Sequence, residues 1–184
     1  MNETIKHILA RQSVREYKDI LLTREQLDTL AAAALQAPSG RNSQPIHARF
    51  LQNADILAQM QVDFKNIVGW NTPVHTRSDK NPFYHNAPAF AFLFAEGDSL
   101  MDAGIMVQNI AVAAQSLGLG TCIVASVGAL FADIAAGTKW RAALDIPKDY
   151  VFMIGICIGV PDEIPERKTR KQEQIAVLNA YEAC

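Results

Sequence analysis

The sequence predicts a single domain in which helices and buried strands interleave, with sheet layers covered by helices. Three observations lead there. Apolar residues recur at helical spacing in 24–36 and 55–68. Two runs, 88–95 and 150–160, are almost continuously apolar and bounded by turn residues, as strands buried on both faces are. With 184 residues, 49% of them apolar, the chain suffices for one well-buried core and is short for two, so residues 1–184 are read as one domain.

Taken in order, Ile5, Ile8 and Leu9 share one face of a first short helix. Thr23-Arg24-Glu25-Gln26 is a capping-box pattern, Leu27, Leu30, Ala31 and Ala34 continue the period, and Ala37-Pro38 stops the helix. Pro38-Ser39-Gly40-Arg41-Asn42 has turn chemistry, 47–52 alternates like a strand, and 55–68 is helical. Residues 70–86 carry Pro73, Pro82, several asparagines and mixed charges without a sustained period, an irregular excursion suited to covering a site.

Beyond the strand at 88–95, residues 103–132 lack any charge and outrun the roughly 20 residues that cross a bilayer. Gln108, Asn109, Gln115 and Ser116 interrupt this stretch and Gly118-Leu119-Gly120 breaks it, so a buried helix followed by a strand at 121–127 explains it better than a membrane span. A helical segment at 129–136 and the strand at 150–160 follow. Residues 167–184 open with a basic cluster and end with Ile175, Val177, Leu178 and Tyr181, an apolar tail suited to docking on a partner subunit.

A net charge of -2 and a pI near 6.1 provide no global field to gather nucleic acid or an anionic membrane, so any anion site is local. Cys122, Cys157 and Cys184 are odd in number and widely spaced, which suggests neither a disulfide framework nor a zinc site and fits a reducing cytoplasm. The first twelve residues lack the apolar core and cleavage site of a secretory signal.

Four segments are candidates for chemistry. Arg11-Gln12-Ser13-Val14-Arg15 follows a helix, and if extended it points Arg11, Ser13 and Arg15 to one side. Two guanidinium groups and a hydroxyl suit a phosphate and a polyol chain, or else form a solvated basic turn. In Pro38-Ser39-Gly40-Arg41-Asn42-Ser43-Gln44-Pro45 the prolines fix the path, Gly40 permits close approach to a ligand, and Asn42 and Gln44 offer donors with acceptors. Such amides match a heteroaromatic edge, or cap neighbouring backbone in an ordinary loop.

The third segment, Gly118-Leu119-Gly120 into Val124-Ala125-Ser126, is no GxGxxG fingerprint, because its glycines follow a helix and open none. Its small residues would let a flat ring lie on backbone, although a helix C-cap leading to a core strand accounts for the glycines alone. The fourth, Arg167-Lys168-Thr169-Arg170-Lys171, completes a phosphate site with the first if the fold brings them together, and otherwise is a solvated tail.

Other chemistries lack support. His7, His47, His75 and His85 are scattered without metal-ligand spacing, and no Walker loop, GxSxG or HExxH occurs, so no metal is expected; His75 and His85 are held in reserve as substrate contacts. Cys122 sits in an apolar run without a visible cation to stabilise a thiolate, and is read as core packing.

The order RQSVR, PSGRNSQPIH, DAGIMVQNIAVAAQSLGLGTC and IGVP followed by ERKTR resembles the nitroreductase family of flavin mononucleotide (FMN) enzymes, from Ile8 to Arg170. The resemblance implies an α+β three-layer sandwich, with a mostly antiparallel central sheet flanked by helices, in an intertwined homodimer whose sheet the partner's C-terminal segment extends. It implies that Arg11, Ser13, Arg15, Lys168 and Arg170 hold the phosphate and ribityl chain of FMN. Pro38, Ser39, Gly40 and Asn42 would approach the flavin from the neighbouring subunit, with Gln44 and Pro45 supporting that loop.

The same resemblance implies that Val124, Ala125 and Ser126 back the ring, Ala125-Ser126 standing where the family often has Glu-Gly or Gly-Gly. The implied activity is ping-pong transfer of reducing equivalents from NADH or NADPH to a small organic acceptor such as a nitroaromatic or quinone. No side-chain nucleophile is needed, and Arg15 is the candidate to stabilise charge at the N1 and C2 carbonyl side of the flavin. The alternatives are a flavin-binding redox sensor and a divergent enzyme of ene-reduction, dehalogenation or flavin fragmentation.

Overall fold

A computed structural model describes residues 1–70 and 82–178. The expected cover at 70–86 therefore lies largely outside the described residues, as do His75 and the last residues of the C-terminal tail. The element order is α1 (Glu3–Ala10), α2 (Arg24–Leu35), β1 (Ile46–Leu51), α3 (Ala54–Val68), β2 (Ala89–Ala95), α4 (Leu100–Ser116), β3 (Gly120–Val124), α5 (Gly128–Ala132), α6 (Ile134–Ala143) and β4 (Val151–Gly159), with single 3-10 turns at Gly40–Asn42 and Gln172–Gln174. The sheet runs β1-β2-β4-β3, and every neighbouring pair is antiparallel.

Helix ends sit where side chains and glycines satisfy orphan backbone groups. The Thr23 hydroxyl accepts the Gln26 N–H while the Gln26 side chain accepts the Thr23 N–H, which closes the capping box that starts α2. Helix α4 ends in a Schellman motif. Gly118, at φ 74°, and Leu119 return their N–H groups to the carbonyls of Gln115 and Ala114 at 3.2 and 2.9 Å. The 17-residue length of α4 and this abrupt stop explain the charge-free stretch: among the described residues no helix is long and apolar enough to cross a membrane.

Alternation along β2 builds two different packing layers. Ala89, Ala91, Leu93 and Ala95 face α2 and α4 in one core, where small side chains let the helices approach the sheet. Phe90, Phe92 and Phe94 point the other way, into a core shared with α3, α5 and α6. There the rings pack edge to face, Phe94 with Phe131 at 4.9 Å and Phe83 with Phe90 at 5.4 Å. Fully burying each such ring contributes about 1.5–3 kcal/mol. Both faces of the sheet are thus covered, which is why β2 reads as a continuous apolar run rather than as a polar-apolar alternation.

Two segments differ from the sequence reading by more than a residue at an end. The strand expected at 121–127 is Gly120–Val124, because the carbonyls of Ala125, Ser126 and Val127 turn to accept the N–H groups of Gly128, Ala129 and Leu130. The helix expected at 129–136 is two helices, broken at Asp133, whose backbone is extended and whose carboxylate caps the Ala136 N–H at 2.9 Å.

Gly155 on β4 leaves room for the Phe90 ring: a Cβ added there would lie 2.4 Å from Phe90 Cε1. Gly155→Ala should therefore cost about 1–3 kcal/mol by overpacking. Urea denaturation checks this, and an unchanged midpoint would contradict it.

Candidate functional site

The first candidate segment becomes an edge of the sheet. Helix α1 ends at Ala10, Arg11 turns extended, and Ser13 forms a parallel bridge with Thr121 on β3. The Val14 N–H donates to the Thr121 carbonyl at 2.9 Å. Val14 is buried against Gly120, where an added Cβ would lie 2.8 Å from Val14 Cγ2, so the missing side chain of Gly120 is what lets this segment seat. With Val14 inward, Arg11, Ser13 and Arg15 line one cleft, and Gln12 lines it with them, so the segment departs from the strict alternation expected of it.

The chain beyond β4 closes over this side. Tyr17 pairs with Pro161, the Asp162 N–H donates to the Glu16 carbonyl at 2.9 Å, and Arg167 Nη2 donates to the Leu9 carbonyl at 3.1 Å. The last bond places a cation on an orphan carbonyl at the C-terminus of α1. Between the two segments lies a cleft of about 270 Å³. Its cations are Arg11, Arg15, Lys168 and Arg170, its acids Glu163 and Glu166, and Ser13 lies among them. Residues from opposite ends of the chain therefore converge here, as the fourth segment requires.

Partners within the cleft are unevenly distributed. Among the described residues, the side chains of Arg11, Arg15 and Lys168 make no hydrogen bond or ion pair, and Arg170 Nη1 donates only to the Lys168 carbonyl. Glu163 Oε1 accepts the N–H groups of Arg15 and Glu16. Sequence reasoning passed over Glu163, Glu166 and Gln12. The signal for the two acids is their spacing among the cations of Pro161-Asp162-Glu163-Ile164-Pro165-Glu166-Arg167-Lys168, too balanced to read as a solvated basic tail.

The second candidate segment lies elsewhere. Ser39 Oγ accepts the Gln44 N–H at 2.8 Å, Gln44 Nε2 donates to Asn42 Oδ1 at 3.2 Å, and the Gly40 N–H donates to Asp102 Oδ1 at 3.1 Å. Arg41, Asn42 and Gln44 all take positive φ, so the loop is tightly wound and anchored to the first turn of α4. Pro38, Ser39, Gln44 and Pro45 line a small pocket of about 160 Å³ beside Asp102 and Met106. Gly40 and Asn42 are exposed or partly so.

The sheet register separates the two segments. The loop enters β1 at Ile46, which lies opposite Ala95 and, through it, Val151; Ser13 abuts Thr121, which lies opposite Ile158. With the Ser13 segment lying one strand beyond β3, the two sites are at diagonal corners of the sheet, about 23 Å apart along the strands and about 19 Å across them. The third segment continues from β3: Val124 is buried at its end, and Ala125 and Ser126 are exposed in the turn that follows.

Beneath the cleft, Tyr17 donates its O–H to the Val14 carbonyl at 2.6 Å, and burial pushes its pKa far up. Cys122 and Cys157 lie opposite each other across β3 and β4, both buried. Burial raises the Cys122 thiol, and Arg15 and Arg11 pull it down less strongly. The cations that the sequence did not show beside Cys122 are thus present, yet the thiol form wins, in line with core packing. His85 is buried after a turn closed on the Pro82 carbonyl. In native protein at pH 8, Cys122 and Cys157 should stay unmodified by iodoacetamide and react only after denaturation. Peptide mapping checks this, and rapid native labelling of either would contradict it.

Comparison with known proteins agrees with the architecture. The sequence profile described as Nitroreductase family matches residues 8–160. An NADPH-flavin oxidoreductase of Vibrio harveyi is 26% identical over 186 residues, covering 96% of this chain and 73% of that protein. A crystal structure of a nitroreductase with bound FMN from Desulfitobacterium hafniense superposes with a TM-score of 0.85 at 27% identity, over 97% of this chain and 100% of the other. An FMN-dependent nitroreductase from Clostridium difficile gives a TM-score of 0.82 at 28% identity, over 96% and 99% of the two chains. With the profile spanning both the strand that seats Val14 and all four strands of the sheet, this chain belongs to the nitroreductase family.

Proposed function

We propose that this chain binds FMN and passes reducing equivalents from NADH or NADPH to a small organic acceptor, a nitroaromatic or quinone among them. One observation carries the reading: three cationic side chains without partners among the described residues, Arg11, Arg15 and Lys168, face one cleft together with Arg170. Like charges gathered without ion pairs repel, and a phosphate monoester relieves that repulsion through charge-assisted, bidentate hydrogen bonds. Ser13 in the same cleft adds a neutral donor and acceptor for a polyol chain. The volume and donor set of the cleft fit the phosphate end of FMN.

In this reading Arg11, Lys168 and Arg170 hold the phosphate and Ser13 the ribityl chain. Arg15, at the end of the segment toward Val124, serves the ring and offsets negative charge at its N1 and C2 carbonyl side. Exposed Ala125 and Ser126, with buried Val124 before them, back the ring. When bound, FMN supplies the redox chemistry. The similarity to flavin oxidoreductases that use NADPH supports the nicotinamide as reductant.

The same reading requires two copies of the chain. Pro38, Ser39, Gly40 and Asn42 sit at the corner of the sheet diagonal to the phosphate cleft, beyond the reach of one mononucleotide. They contribute to a flavin site only if a partner brings its loop to this chain's cleft. The tail supports such an assembly, since Ile175, Val177 and Leu178 are 81, 83 and 91% exposed and β1 is an open sheet edge. Docking of the tail on the partner would cover both. Buried, unpaired Cys122 and Cys157 support work in a reducing cytoplasm.

The test is spectroscopic. Purified protein should bind FMN, and anaerobic NADH or NADPH should bleach the bound flavin. Arg11→Ala and Arg170→Ala should each raise the FMN dissociation constant about 10- to 100-fold, the worth of a charged hydrogen bond. Wild-type affinity in both variants, or no nicotinamide-driven bleaching, would overturn the reading.

A further inference from the structure

We propose that Glu163 is a positioning residue that sets Arg15 in place for the flavin; this rests on the functional reading above. Residues 14–18 are zipped to the chain leaving β4: the Lys18 N–H donates to the Val160 carbonyl and the Asp162 N–H to the Glu16 carbonyl, both at 2.9 Å. On its other side, the segment is held to β3 through Val14 and Thr121. The N–H groups of Arg15 and Glu16 are left over by both sets of bonds, and both meet Glu163 Oε1.

A carboxylate in a cleft of four cations ought to pair with one of them. Among the described residues no salt bridge joins Glu163 to any. Its oxygen is engaged by main chain instead, so it fixes the backbone of Arg15 while leaving the guanidinium of Arg15 and the other cations open to an anion. Without Glu163, two adjacent N–H groups at the end of an edge segment lose their acceptor, and the backbone of Arg15 is held only through its neighbours Val14, Glu16 and Lys18. A glutamine keeps a carbonyl oxygen at the same reach and preserves that function; an alanine does not.

The experiment is a fluorescence titration of flavin-free protein with FMN, alongside circular dichroism and thermal unfolding without flavin. Glu163→Ala should weaken FMN binding about tenfold, and Glu163→Gln should remain within about threefold of wild type. In an Arg15→Met background, adding Glu163→Ala should change the dissociation constant by less than about twofold, since the residue it positions is gone. Glu163→Asp, whose carboxylate stops one methylene short, should follow alanine in direction and serves if alanine does not fold. Wild-type affinity in Glu163→Ala and Glu163→Asp would overturn the proposal, as would an equal loss whether Arg15 is present or already replaced, or a loss of thermal stability with FMN affinity intact. Wild-type protein that binds no FMN would instead overturn the functional reading itself.

Discussion

Everything at the site depends on how closely Val14 approaches Gly120. The missing side chain on β3 admits the valine, the Val14 N–H finds the Thr121 carbonyl, and the N-terminal segment becomes a further edge of the sheet. That one seating exposes Arg11, Ser13 and Arg15 on a common side and brings the first fifteen residues to the end of β4. A cationic cleft assembled from opposite ends of the chain follows from it. A larger residue at Gly120 would collide with the Val14 side chain and force the segment or the strand to shift.

Much of this was legible beforehand because it is local. The capping box of Thr23 and Gln26, the glycine stop after α4 and the apolar runs of β2 and β4 each carry their cause within a few residues. The common side of Arg11, Ser13 and Arg15 likewise needed only an extended backbone, although Gln12 joins them there. What escaped notice is non-local. Gly120 looked like part of a helix cap, since nothing nearby announces that Val14 packs on it. The end of β3 at Val124 depends on carbonyls turning into α5, and the break at Asp133 on its capping of α6. Glu163 was invisible as an anchor because its partners are main-chain groups nearly 150 positions earlier, at Arg15 and Glu16, which carry no sequence signature.

The sheet also explains why the candidate residues form two groups. Strand order β1-β2-β4-β3 places the 38–45 loop and the cationic cleft on opposite edges and at opposite ends. In one chain these are unrelated surfaces. In a pair of chains related by a two-fold axis, the loop of each can meet the cleft of the other, which makes the site and the assembly a single feature.

Recognition of a phosphate by the cleft is tested by comparing FMN with riboflavin, which differs only in lacking that group. If the four cationic side chains that line the cleft hold a phosphate, flavin-free protein should bind FMN at least about a hundredfold more tightly than riboflavin, with the difference shrinking as salt rises. Equal affinity for the two flavins would show that the cleft does not bind the phosphate, and the account built on it would fail.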